Sequence, residues 1–394
     1  MRCLMWIPRT LQNKIEDALK TRPVILLTGA RQTGKTSLLK NTVKNAEYVT
    51  LDNLLAAAGA EENPSEFLGQ FKAQVIIDEI QYAPSLFREI KVFIDRDRSN
   101  YGKWVLTGSQ KIQLMKGVSE SLAGRLRILT LETLSASELR NCGYFSAAQI
   151  RQFVFRGGFP ELWANTGINF SDYYEDYIQT YLERDLKEII NVSNLRQFRR
   201  MLQFCAMRVG QLMNYSEISK ETGVSLNTVK SWVNALEISG IIYMLPPFYA
   251  NIGKRLAKLP KFFFADHGLA AYLLGIDGHN YETSLYRGAL WENMAFSEII
   301  KTTGAMPGRN LFYYRDQNNI ELDFIYETPA YRYLIEVKSS ERVDERKLNF
   351  SKVVPLLKDK PVKNILMANV QAENIVSLGA CDIVNPLLAE CFPK

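Results

Sequence analysis

Histidine is nearly missing from this chain of 394 residues: His267 and His279 are the only two. Neither sits in a metal-ligand cluster, so zinc chemistry and histidine-based triads are poor candidates. Cysteine is scarce as well. Cys3, Cys142, Cys205, Cys381 and Cys391 are scattered, odd in number and never spaced C-x-x-C, as expected of reduced thiols in a cytoplasmic protein. No stretch is long and apolar enough to span a membrane, so no membrane partner is expected. The apolar start Met1–Ile7 is cut off by Pro8-Arg9, too short for a secretory leader. Charge is only mildly unbalanced. A net +6 permits an acidic partner without demanding one.

What is present is ample apolar material, 47% of the residues against 23% charged, in a chain too long for one ordinary core. The most informative stretch is VILLTGARQTGKTSLL, Val24 to Leu39. An apolar run, the pattern Gly29-x-x-x-x-Gly34-Lys35-Thr36 and an apolar continuation give strand, phosphate loop and helix in that order. Triphosphate oxygens need several backbone N–H donors at once, and glycine lets the backbone turn and approach that closely. Lys35 supplies a point charge, Thr36 a hydroxyl for Mg2+, and Gln32, Thr33 and Ser37 complete the ATP-binding loop.

Leu11, Ile15 and Leu19 predict an amphipathic helix before the loop, with Thr10 as its N-cap. Further strands are expected at Tyr48–Leu51, Val75–Ile77, Trp104–Thr107 and Leu126–Leu131. With helical stretches between them, these indicate a parallel sheet covered on both faces. Val75–Ile77 runs into Asp78-Glu79, where a P-loop enzyme places a metal-associated Asp and a carboxylate that orients or deprotonates the attacking water. Asp78 is assigned to Mg2+ and Glu79 to the water. The polar end Thr107-Gly108-Ser109-Gln110 makes Ser109 a candidate phosphate or water sensor, against the plainer reading of a glycine turn. Arg125 precedes another strand and is either a surface group or a finger reaching a neighbouring subunit's phosphate, which would imply a homo-oligomer.

Taken together, GARQTGKTS, VIIDEIQ, LTGSQ, SLAGRL, GGFPE and YLERDL resemble the AAA-type ATPases fused to a C-terminal domain of unknown function, common in bacteria and archaea. The resemblance covers almost the whole chain. It implies ATP and Mg2+ roles for Lys35, Thr36, Asp78 and Glu79, a sensor at Ser109, and a trans-acting or sensing arginine at Arg125. One departure is the lack of proline in Leu131-Glu132-Thr133-Leu134-Ser135, where family members often carry one.

Downstream, Leu195, Phe198, Leu202, Cys205 and Val209 share a helical face, and a short helix follows at Tyr215–Thr222. Gly223 makes a turn, Ser225 N-caps, and Leu226, Val229, Val233 and Leu236 mark the buried face of a third helix. This is a helix-turn-helix pattern, with Ile241–Phe248 as a wing. Its outer face would carry Asn227, Thr228, Lys230, Ser231 and Asn234, suited to phosphates and base edges of DNA. The basic residues Lys254, Arg255, Lys258 and Lys261 add to that reading, although winged helices also serve as protein-contact modules.

The last segment predicts a helix at Leu285–Thr302 bearing Glu292, then strands at Asn310–Arg315, Ile320–Tyr326 and Arg332–Lys338. Strand alternation puts Glu336 and Lys338 on one face, where Asp323 of the neighbouring strand would meet them. Two carboxylates for Mg2+ and a lysine resemble the PD-(D/E)XK nuclease fold, with Glu292 as a helix-borne ligand. Such a domain either cuts nucleic acid or persists as a binding scaffold. The expected class is therefore α/β, with an AAA-type P-loop ATPase core at 1–140, a helical lid or connector at 141–193, a winged helix-turn-helix segment at 194–274 and a nuclease-like domain at 275–394. Three functions remain open: an ATPase acting on DNA with a metal-dependent nuclease site, an ATP-gated DNA-binding switch, and an ATP-gated protein-interaction module.

Overall fold

The computed structural model describes residues 6–109, 122–182, 195–248, 259–357 and 359–392. Gln110, Ser121, most of YLERDL, Asn194, Lys254, Arg255 and Lys258 lie outside the described residues. Two compact units are formed, one mainly from Pro8–Glu132 and the other mainly from Thr133–Glu237 and Ile241–Lys394.

In the first unit, β1 (Val24–Thr28), β2 (Glu47–Thr50), β3 (Val75–Asp78), β4 (Trp104–Gly108) and β5 (Leu126–Thr130) make an all-parallel sheet. Its order is β2-β3-β4-β1-β5. The three wholly buried strands are β1, β3 and β4, and they take the central places, as near-continuous apolar runs in a parallel sheet require. Helix α1 (Leu11–Leu19) buries Ile15 and Ala18. Thr10 does not cap it: its backbone is already helical, whereas a capping side chain needs an extended backbone to reach the free N–H groups.

The second unit opens with short helices and contains the three helices Leu195–Met207, Tyr215–Thr222 and Leu226–Ile238. Gly223 adopts the left-handed conformation after the second, and Ser225 Oγ accepts from Thr228 N at 3.2 Å at the start of the third. Leu226 is exposed, contrary to the expected apolar face, because it lies on the helix's first turn; Trp232 fills the core beside Val229, Val233 and Leu236. The strands β6 (Ile242–Leu245) and β7 (Lys261–Phe264) form an antiparallel pair.

A mixed six-stranded sheet follows, ordered β12-β13-β11-β10-β9-β8. Its members are β8 (Leu311–Arg315), β9 (Glu321–Glu327), β10 (Arg332–Lys338), β11 (Val362–Ala368), β12 (Val376–Leu378) and β13 (Cys381–Val384). The helix Arg287–Thr303 packs on it through Trp291, Met294 and Phe296, all fully buried. The glycines of the GGFPE stretch also have a physical reason. Gly157, at φ +77°, lies so close to Tyr174, Asp266 and Gly268 that any side chain would collide with them. Asp266 there accepts from Thr133 Oγ1 at 2.9 Å, Gly158 N at 2.8 Å, Tyr174 OH at 2.6 Å and Gly268 N at 3.1 Å. This fully bonded carboxylate ties four segments of the unit together. No helix among the described residues is long and apolar enough to cross a membrane.

Candidate functional site

At the carboxyl end of β1 the chain turns at Gly29, φ 146°, where a side chain would run into the carbonyl of Leu131. Gln32 takes the left-handed conformation at φ 60°, and Gly34 does so at φ 90° immediately before α2 (Lys35–Thr42). Backbone N–H groups and the positive end of the helix thus face the same space. Lys35 folds back over the loop, its Nζ donating to the carbonyls of Gly29 at 3.1 Å and Ala30 at 3.0 Å. Arg9 braces the loop from outside by donating to the carbonyls of Thr33 at 2.9 Å and Glu132 at 2.7 Å. Thr33 is buried and donates its hydroxyl to Ala30 O at 3.0 Å, while Ser37 lies on the first turn of α2.

Asp78 closes β3 and is buried. Its Oδ2 accepts from Thr36 Oγ1 at 2.8 Å and from Tyr48 OH at 2.8 Å, and its Oδ1 accepts from Thr107 Oγ1. Burial, together with the neighbouring Asp78, pushes the Tyr48 phenol well above its ordinary value, so it remains a donor. Glu79 follows at φ 56°. A non-glycine residue in that conformation is held by its surroundings: Glu79 N donates to Thr107 Oγ1 at 3.3 Å, and its Oε2 accepts from Ser109 N at 3.3 Å, Ser109 Oγ at 3.2 Å and the Gln81 amide.

The sheet order explains why these groups meet. Because β4 lies between β1 and β3, its carboxyl end delivers Thr107 and Ser109 beside both acidic residues. Ser109 therefore adjoins Glu79. Tyr48, Gln81 and the bridging action of Thr107 were not legible; each depends on pairing between strands distant in sequence. Arg125 lies elsewhere. Its neighbour Leu126 pairs with Val24 at the amino end of β1, whereas the loop follows Thr28 at the other end, about 13 Å along the strand. There Arg125 holds Asp95 of the same chain through two nitrogens, at 3.2 and 2.8 Å to Oδ1. That pairing lowers the Asp95 carboxyl below its ordinary value.

In the three-helix segment, Asn227, Lys230, Ser231 and Asn234 are exposed on one side of the helix Leu226–Ile238. Thr228 is half-buried, its hydroxyl 2.8 Å from that of Ser225. Lys261 departs from the expected basic surface: it is buried, since β7 runs through the core.

In the C-terminal sheet the expected residues do come to one region. Lys338 Nζ lies 3.3 Å from Glu336 Oε2, as their shared strand face requires. Asp323 lies one step beyond the last β9–β10 pair, Ile335 with Phe324, and its Oδ2 accepts from Val337 N at 2.7 Å. Glu336 Oε1 is taken by Asn349 N. Glu292 is bonded to Lys261 Nζ at 3.2 Å, and Lys261 also pairs with Glu321 at 2.6 Å. Burial alone would lower the Lys261 ammonium, but Glu292, Asp323 and Glu321 together raise it. Burial holds the carboxyls of Glu292 and Glu336 above their usual range. Among the described residues no group of three or more His, Cys, Asp or Glu is arranged to hold a metal ion.

Three families match the chain in succession. An AAA domain covers residues 21–140, a domain of unknown function (DUF8612) covers 147–280, and a domain of unknown function (DUF4143) covers 287–382. The chain is 31% identical over 401 residues to Uncharacterized protein Rv2008c of Mycobacterium tuberculosis and to Uncharacterized protein Mb2031c of Mycobacterium bovis, spanning 98% of this chain and 88% of each relative. Among solved structures, the Walker-type ATPase paby2304 of Pyrococcus abyssi aligns at 16% identity with a TM-score of 0.45, over 68% of this chain and 96% of that one. With that identity along nearly its whole length, this chain belongs to the family of the two mycobacterial proteins, and its first domain is of the AAA ATPase type.

Proposed function

We propose that this protein binds ATP with Mg2+ at the phosphate loop, hydrolyses it, and uses the cycle on DNA. One observation carries the ATPase reading: Asp78 is fixed 2.8 Å from Thr36 Oγ1 while the adjacent Glu79 is held in a left-handed backbone by Ser109 and Thr107 of the intervening strand. A hydroxyl and a carboxylate are hard oxygen ligands that suit Mg2+, and the glycine-shaped loop suits phosphates. When bound, the ion neutralises charge on the outer phosphates. Thr36 and Asp78 would hold it, Lys35 would leave the loop carbonyls for phosphate oxygens, Glu79 would orient the attacking water, and Ser109 would keep Glu79 in place. Arg125, at the far end of the sheet, would serve the nucleotide of a second subunit rather than its own.

The middle segment supports a winged helix: three helices, a left-handed glycine turn and the β6–β7 pair. Its exposed Asn227, Lys230, Ser231 and Asn234 would contact phosphates and base edges, with Thr228 at the margin. The family boundaries near 140 and 280 support the proposed division into an ATPase core, a connector with a winged helix, and a PD-(D/E)XK-like domain. Mg2+-dependent cleavage by that last domain would require Asp323 and Glu336 to take one ion between them, with Lys338 beside it. Each carboxylate is already bonded elsewhere. The ATP-gated switch with an uncut substrate is therefore the better-supported form of the proposal. Lys35→Ala tests it: ATP binding and phosphate release should be lost, and normal turnover in that variant would refute the site.

A further inference from the structure

Strand β7 has four residues, and alternation puts Lys261 and Phe263 on one face. Phe263 stacks on Phe296 with ring centroids 4.2 Å apart and meets Phe324 at 5.7 Å. Asn293 fastens the same strand to the helix Arg287–Thr303: its Oδ1 accepts from Phe264 N at 2.8 Å and its Nδ2 donates to Phe264 O at 3.0 Å. Glu292 lies one helical turn before Phe296 and hence on the same side of that helix. Seating Phe263 therefore carries the Lys261 ammonium to Glu292 at 3.2 Å and Glu321 at 2.6 Å, where it is only 5% exposed. Gly210 leaves room for the Glu292 carboxylate, which a side chain at that position would crowd at 3.2 Å.

Every carboxylate of the cluster now has a donor. Lys261 serves Glu292 and Glu321, Val337 N serves Asp323, and Lys338 with Asn349 N serves Glu336. A divalent ion entering this space would have to displace a buried ammonium or sit beside it against like-charge repulsion.

We propose that Lys261 is the resident cation of this cluster, taking the charge-balancing role that a divalent metal takes in a PD-(D/E)XK-like site, so that the C-terminal domain is a metal-free scaffold onto which the β6–β7 pair is locked. The device is tertiary. It joins a strand of the middle segment to the helix and sheet of the last one, and converts a nuclease-like arrangement into a structural ion-pair network.

The test uses the full-length, nucleotide-free protein and Mn2+ as the probe, read by calorimetric titration and by thermal unfolding; none of these readouts depends on ATP turnover. The parent should take no Mn2+ that is sensitive to Asp323→Asn. Lys261→Met keeps an unbranched side chain, one atom shorter, but removes the charge. It should melt several degrees lower, gain one Mn2+ site, and be restabilised by Mn2+, with the gain abolished by adding Asp323→Asn. Should Lys261→Met not fold, Lys261→Met combined with Glu292→Gln relieves one unpaired carboxylate and should fold without the ion. Parent protein that binds Mn2+ through Asp323, or that cuts DNA with Mg2+ in a manner lost in Asp323→Asn and Glu336→Gln, would overturn the proposal. So would a folded Lys261→Met, or a folded Lys261→Met/Glu292→Gln, indifferent to Mn2+ and as stable as the parent.

Discussion

Replacing Glu79 with glutamine separates the position of this side chain from its basicity. Its Oε2 accepts from Ser109 N at 3.3 Å, from Ser109 Oγ at 3.2 Å and from the Gln81 amide, and a glutamine carbonyl oxygen offers the same acceptor to all three. The left-handed backbone at φ 56° is held by Thr107 and is unaffected. What disappears is the capacity to take a proton from water. A positioned general base contributes about 10²–10⁴-fold to a rate, or about 3–5.5 kcal/mol of barrier. Glu79→Gln should therefore lower kcat by that factor while fluorescent-nucleotide binding stays near the parent value. Ser109→Ala removes one side-chain donor and leaves the other two. A hydrogen bond to a charged group contributes about 1.5–3 kcal/mol, so the loss should be about ten- to a hundredfold if the whole bond is felt in the transition state. Steady-state phosphate release under saturating Mg2+ and ATP should rank parent above Ser109→Ala above Glu79→Gln. Parent-like turnover by Glu79→Gln would refute the assignment of the water to Glu79, and a Ser109→Ala variant slower than Glu79→Gln would refute the idea that Ser109 acts by positioning it.

Arg125→Ala should cut ATP turnover by about three orders of magnitude without weakening nucleotide binding if it is a finger in trans. Mixing it with Lys35→Ala, which keeps the arginine but not the lysine, should restore activity in shared assemblies; failure to complement would leave Arg125 as the surface partner of Asp95. Lys230→Ala should weaken DNA binding and reduce the slope of log affinity against log salt by about one, measured by fluorescence anisotropy across a salt series. An unchanged slope would remove Lys230 from the interface. Burial, with Lys301 nearby, depresses His267 from 6.5 to about 4. The unfolded chain then binds a proton that the folded one refuses, so stability falls as pH drops through the window from 6.5 to 4, by about 3 kcal/mol at full extent. Urea midpoints of the parent should fall across that window more steeply than those of His267→Gln; equal slopes would show that His267 is not the group responsible.

Local signals carried far in the first unit. The apolar runs at Val24, Val75 and Trp104 became the three central strands within a residue of their expected ends, because a strand buried on both faces must be apolar throughout. Asp78-Glu79 and Thr107-Gly108-Ser109 were visible for the complementary reason: polar residues that end such a run stay buried at the sheet's carboxyl edge and must find hydrogen-bond partners there. Which strands are neighbours was not visible. Insertion of β4 between β1 and β3 is what brings Ser109 to Glu79 and Thr107 to Asp78, and hydrophobic periodicity contains no record of it. Tyr48 shows the limit plainly, since it reads as an ordinary β-forming residue until β2 is laid beside β3. Beyond Lys338, β11 to β13 are not marked by alternation: β11 is buried without a break from Ile365 to Ala368, and β12 is three exposed residues.

Two lysines show why the two candidate sites differed so much in legibility. Lys35 follows Gly34 in a loop whose conformation is dictated by backbone geometry, and backbone constraints are written locally as glycines at fixed spacing. Lys261 stood in sequence among basic residues and invited a surface reading, yet its place was decided by Phe263 stacking on Phe296 and by Asn293 gripping Phe264, contacts about 30 residues away along the chain. The same side-chain chemistry thus has different surroundings: an ammonium bonded to the loop carbonyls of Gly29 and Ala30 in one site, and an ammonium enclosed by carboxylates in the other. A motif of the E-x-K kind records which charges are available on one strand. Whether those charges recruit a metal depends on what the rest of the fold brings to meet them, and here the fold brings a lysine.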